Sequence, residues 1–134
     1  MTAPTVRRRW LLAASLVAVA FGLLTLKEGG TVLFGGREAR AAAGQIVPFV
    51  LWFNFGAGFA YVVAGVGLWM QRRWALWLAV AIAASTALVF AAFGVHVFAG
   101  GAHETRTVIA MTLRTLVWMV LAAIAWQALA LRRS

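Results

Sequence analysis

The chain contains no cysteine in its 134 residues. Disulfides, iron–sulfur clusters, thiolate metal sites and thiol redox chemistry carried by the protein itself are thereby excluded. Negative charge is nearly as scarce: three acidic residues, all glutamate, stand against twelve basic ones, for a net charge of +9. Charged residues are 11% of the chain, where a soluble domain carries about a quarter. So few polar groups cannot cover a soluble core. No G-x-S-x-G elbow, Walker loop or dinucleotide fingerprint occurs. Nucleic acid is not the expected partner either, because the arginines flank apolar runs and form no patch, which suits a lipid bilayer with anionic headgroups.

What the chain does have is apolar length: 64% hydrophobic residues and a mean hydropathy of +0.93. These values place it in the membrane class as one transmembrane domain. Residues 47–70 form an uncharged run of 24, roughly 36 Å as a helix, long enough to cross a hydrocarbon core of about 30 Å. Apolar runs also cover residues 10–26, 74–98 and 107–131, the last carrying one charge, Arg114. The expected fold is therefore all-α, an integral membrane four-helix bundle. Residues 7–20 also resemble a secretory signal, with a faint twin-arginine character, but the apolar run continues to Leu26 and reads as an uncleaved span.

Small residues suggest how the spans pack. Gly56, Ala60, Ala64 and Gly67 lie on one stripe of the second span, and Ala75, Ala79, Ala83, Ala87 and Ala91 form an i+4 ladder on the third. Such faces let helix backbones approach in lipid, so these two spans are expected to pair as the central hairpin. The connection 27–46 carries Gly29-Gly30 and Gly35-Gly36 as expected turns, and a short interfacial helix over residues 37–43 that Gly44 would end.

Charge sets the expected orientation. Residues 7–9, 72–73 and 132–133 supply seven arginines and no acid, whereas the other two connections hold Lys27, Arg37, Arg40 and Arg106 with all three glutamates. The positive-inside rule puts both termini in the cytoplasm of a bacterial inner membrane. Trp10, Trp69, Trp74, Trp77 and Trp126 would then line the cytoplasmic interface. Glu28, Glu38, Glu104, His96, His103, Asn54 and Arg114 gather in the opposite, outward-facing half.

Arg114 stands out there, since it lies seven residues into the fourth span, at a depth on the order of 10 Å. A guanidinium in lipid must be paired or hydrated, so it is expected to face the interior. Asn54 lies at similar depth on the second span. Asn54, Glu28 and the ring of Trp118 are the expected partners, with His96 on the rim of an outward-opening pocket. His96, His103 and Glu104 form H-x6-H-E, a ligand set suited to zinc or copper in a spacing that matches no established metal signature. Haem ligation by two histidines wants facing helices, which this spacing does not supply. No cofactor is assigned.

Phe21-Gly22 through Lys27, the glycine-bearing connection, Pro48, and GAGFAYVVAGVGLWMQRRWALWLAVAIAA over residues 56–84 together resemble the DoxX-like group of small bacterial four-span membrane proteins. The likeness covers the first two thirds of the chain and excludes the fourth span. It implies an accessory or quinone-linked redox subunit and supplies no catalytic residues. The sequence thus reads as a non-enzymatic binding or accessory protein whose pocket takes a lipid headgroup, a quinone head or a small anion. An oligomeric transporter of small solutes or ions and a subunit of a membrane redox enzyme are the alternatives, with homo-oligomers or a larger membrane complex as partners.

Overall fold

Four long apolar helices dominate the computed structural model, which describes residues 3–130, with side chains described from Val6 to Leu129. Helix α1 spans Ala3–Phe34, α2 Gly36–Ala43, α3 Pro48–Trp69, α4 Arg73–Phe98 and α5 Thr105–Ala125. A π-helical turn, Trp126–Ala130, continues α5. Helices α1, α3, α4 and α5 are each long and apolar enough to cross a membrane. There is no strand among the described residues. Residues 1–6 read from sequence as a short polar leader, but α1 already includes Ala3 to Val6; Met1, Thr2 and the Arg132-Arg133 cap lie outside the described residues.

The first helix departs from expectation. Lys27, Glu28, Gly29 and Gly30 were expected in a loop, yet α1 continues through them to Phe34. Two contacts explain why. Thr31 donates its hydroxyl to the Lys27 carbonyl one turn back at 2.7 Å. Gly29 lies against Phe55 of α3 so closely that a Cβ would sit 3.2 Å from the ring. A glycine pair that reads as a turn in water serves here as a point of close helix approach. The chain breaks later, at Gly35-Gly36, where Gly36 takes φ +85°. Eight residues on, Gly44 takes φ +78° and ends α2.

The packing centre also differs from the expected one. The most extensive contact joins α1 to α3, ahead of the α3/α4 hairpin. Gly22 meets the Gly58 carbonyl, and Gly65 meets the backbone of Ser15 and Val19. Of the expected small-residue stripe, Gly67 does pack closely, against Trp74 and Ala75 across the tight Gln71 turn, but Gly56 has no neighbour within 4 Å. The alanine ladder behaves alike: Ala75 and Ala79 are buried, whereas Ala87 and Ala91 are exposed. An i+4 row drifts about 40° per step around a helix of 3.6 residues per turn, so five members cannot share one narrow face.

Two apolar clusters fill the bundle. The larger runs from the Gln71 end to mid-bundle, with Leu11, Leu68, Leu76 and Leu121 around Tyr61 and Trp118. The smaller joins Val47, Val50, Phe93 and Met111 at the α2 end. Trp10, Trp69, Trp74, Trp77 and Trp126 are all exposed around the Gln71 end. Helices α1 and α5 meet only briefly. Leu11 and Ala14 join Ala128 and Leu129 in the larger cluster, so that contact extends to the Gln71 end, and no α1 residue joins the smaller one.

Replacing Gly65 by alanine would set a Cβ 3.0 Å from the Ser15 carbonyl oxygen and 3.1 Å from the Val19 nitrogen, neither of which can yield locally. We expect Gly65→Ala to destabilise the bundle by about 1–3 kcal/mol. Gly56→Ala should be neutral or stabilising by up to about 1 kcal/mol. Denaturant or thermal unfolding in detergent micelles separates the two.

Candidate functional site

Three helical stripes face a common space at the α2 end. Thr25, Glu28, Gly29 and Val32 of α1, Val47, Val50, Leu51 and Asn54 at the start of α3, and Thr107, Ala110 and Arg114 of α5 each recur at i, i+3, i+4 or i+7 spacing. Ala39, Ala42 and Ala43 of α2 form its roof, and Lys27 and Arg106 complete the charged lining. The cavity is open on one side and has a volume of about 450 Å³.

Arg114 is its deepest cation and is only 8% exposed. Its Nη1 donates to Thr25 Oγ1 at 2.8 Å, and its guanidinium carbon lies 5.3 Å from the centre of the Phe21 ring. A hydroxyl and a π-face are both favourable neighbours for a cation, yet neither carries a compensating charge. The Nε–H is buried with no partner among the described residues. The guanidinium is therefore desolvated and incompletely satisfied, a state that costs several kcal/mol unless an anion or water completes it.

Asn54 lines the same cavity. Its amide Nδ2 donates to Met111 Sδ at 3.5 Å, a weak acceptor. Its Oδ1 is buried without a donor. Arg114 and Asn54 thus leave complementary groups unmet around one space, a donor on the first and an acceptor on the second.

The roof is tied down from α5. Arg106 Nη2 donates to the Ala43 and Ala42 carbonyls at 3.0 and 3.3 Å, satisfying the C-terminal end of α2. Glu104 Oε2 accepts the Gln45 backbone N–H at 3.1 Å. Glycines of positive φ flank α2 on both sides, and none of its residues is buried. The roof is held mainly by its ends.

Sequence reasoning placed Arg114, Asn54 and Glu28 together, and all three line the cavity. His96 and Trp118 do not. His96 sits at the C-terminal end of α4, where Nε2–H donates to the Ala102 carbonyl at 2.9 Å and the ring stacks on Phe93 at 6.4 Å. Trp118, one turn beyond Arg114, turns its ring onto Tyr61 instead, at 4.8 Å between centroids. Both rings are fully buried and fill the bundle beneath the cavity. Thr25 and Phe21, the actual partners of Arg114, were missed. Extending the Glu28 stripe back along α1 by i−3 and i−7 reaches both, which is the signal that would have found them.

The histidine pair is occupied within its own loop. His103 Nδ1–H donates to the Gly101 carbonyl at 3.0 Å, while Glu104 points away to Gln45. Among the described residues no three His, Asp or Glu side chains converge on a metal-sized space.

Cutting both ties, with Glu104→Ala and Arg106→Ala together, should raise amide exchange across residues 36–45 by about tenfold or more, the scale of one or two lost hydrogen bonds. Exchange in α4 should not change. Hydrogen–deuterium exchange in micelles reads both.

Comparison with protein-family models, with curated proteins and with solved structures gives no match.

Proposed function

We propose that this chain is a non-enzymatic binding protein of a bacterial inner membrane that holds an anionic head in the Arg114 cavity. The observation that carries the reading is the buried guanidinium whose contacts are a hydroxyl and a ring, with no carboxylate paired to it among the described residues. Lys27 and Arg106 add positive charge to the same lining, against Glu28 alone. A ligand that brings negative charge completes the buried guanidinium and is favoured by the two exposed cations beside it. The apolar wall formed by Val32, Ile46, Val47, Val50 and Leu51 suits a head attached to hydrocarbon.

The positive-inside rule supports an orientation with the Gln71 turn and both termini in the cytoplasm, so that the cavity faces outward. The exposed tryptophans at the Gln71 end support the same reading, since indole favours the interface. Beneath Arg114 the tilted pair of Tyr61 and Trp118 rings fills the bundle, which favours holding a ligand over passing one through. An accessory role also fits the resemblance to the DoxX-like group.

Arg114→Gln shortens the side chain, keeps a hydrogen-bonding tip and removes the charge. It should weaken binding of an anionic amphiphile by about tenfold or more, the usual worth of a charge-assisted contact. Native mass spectrometry from anionic nanodiscs checks this, with one retained lipid expected in the wild type. Equal retention by Arg114→Gln would remove the assignment.

A further inference from the structure

The cavity is too large for a bare ion. Its volume of about 450 Å³ lies in the range of organic ligands, about 300–1,000 Å³, whereas one water takes about 30 Å³ of liquid. A single anion at Arg114 would leave most of the space to be filled by something else.

Its polar lining asks for two kinds of group. Arg114 requires an acceptor, and its planar fork favours a carboxylate or a phosphate. Asn54 Oδ1 is a buried acceptor with no donor, and the Glu28 carboxylate is a second acceptor on the same wall. Asn54 Oδ1 requires an N–H or O–H group from the occupant, and the exposed Glu28 can accept a second. A quinone head offers acceptors alone and would leave Asn54 unmet. A fatty acid carboxylate has the same defect once ionised. A head that joins an anionic phosphate to hydroxyls satisfies both halves.

The place for hydrocarbon follows from the lining. Val32, Ile46, Val47, Val50 and Leu51 form an apolar wall beside the polar groups. Acyl chains of an occupant run along that wall while the head stays at Arg114.

We infer that the occupant is a polyol phosphodiester lipid head, of the phosphoglycerol type, with its phosphate on Arg114 and its hydroxyls on Asn54 and Glu28. The inference rests on the anion-binding reading above and adds the donor requirement and the lipid source. Zwitterionic choline heads carry the phosphate without donors and are disfavoured by the surplus of cations.

The test measures binding of three probes to the purified, delipidated protein in a neutral detergent: short-chain phosphatidylglycerol, oleate and free glycerol phosphate. Phosphatidylglycerol should bind at one per chain, about tenfold or more tighter than either other probe. Asn54→Leu should bring phosphatidylglycerol down to the level of oleate while oleate itself is unaffected. Arg114→Gln should weaken all three, and Arg114→Lys, which keeps charge without the fork, should fall between. Oleate equal to phosphatidylglycerol in the wild type, with both lost in Arg114→Gln, would overturn the donor requirement and leave the anion reading standing. Free glycerol phosphate binding as tightly as the lipid would overturn the lipid source. Phosphatidylglycerol binding unchanged in Arg114→Gln would overturn both readings together. If neither Arg114 variant inserts, the loss of preference in Asn54→Leu decides, and its persistence overturns the inference.

Discussion

A guanidinium buried among apolar helices constrains everything around it. A charge so placed must be satisfied where it stands, by the protein around it or by what the cavity holds. The fold does this in part, through the Thr25 hydroxyl and the Phe21 ring. Both come from α1, so the charge on α5 is met across the one seam where the bundle is least closely packed. What remains unsatisfied faces a cavity, and the function proposed above follows from that residue of unmet charge.

The seam itself is a product of glycine. Gly22, Gly29, Gly58 and Gly65 let α1 and α3 come to backbone contact along most of their shared length. A helix drawn so tightly to one neighbour stands away from another, here α5. At the Gln71 end the gap is filled by Leu11 and Ala14 against Ala128 and Leu129. At the α2 end no α1 side chain joins the small cluster of Val47, Val50, Phe93 and Met111, and the space between becomes the cavity. Close packing on one side therefore sets the room available on the other.

Much of this was legible in the sequence. Four helices able to span a membrane follow from hydropathy alone, because the cost of backbone polar groups in lipid leaves helices as the simple solution for such runs. Arg114, Asn54 and Glu28 could be brought together by counting helical rise, since depth in a bundle is nearly a linear function of residue number. Rotation about each helix was harder. Trp118 lies a turn from Arg114 but 400° around, and its ring found Tyr61. His96 sits at the right height on α4, which does not line the cavity. The Gly29-Gly30 pair misled for a different reason, because glycine marks turns in water and close approach in lipid. Its meaning depended on Phe55, a partner 26 residues away that no local pattern reveals.

The central claim is that the face of α5 bearing Arg114 borders water and not acyl chains. The chain lacks cysteine, so single cysteines report without background. The most direct measurement is the reaction rate of Ala110→Cys, which keeps Arg114 in place, with a charged thiosulfonate in nanodiscs of choline lipid alone, against Ile109→Cys and Leu113→Cys on the exposed flank of the helix. The account predicts rapid modification at position 110 and slow modification at 109 and 113. Rapid reaction at 109 and 113 with none at 110 would turn the guanidinium toward lipid and contradict it.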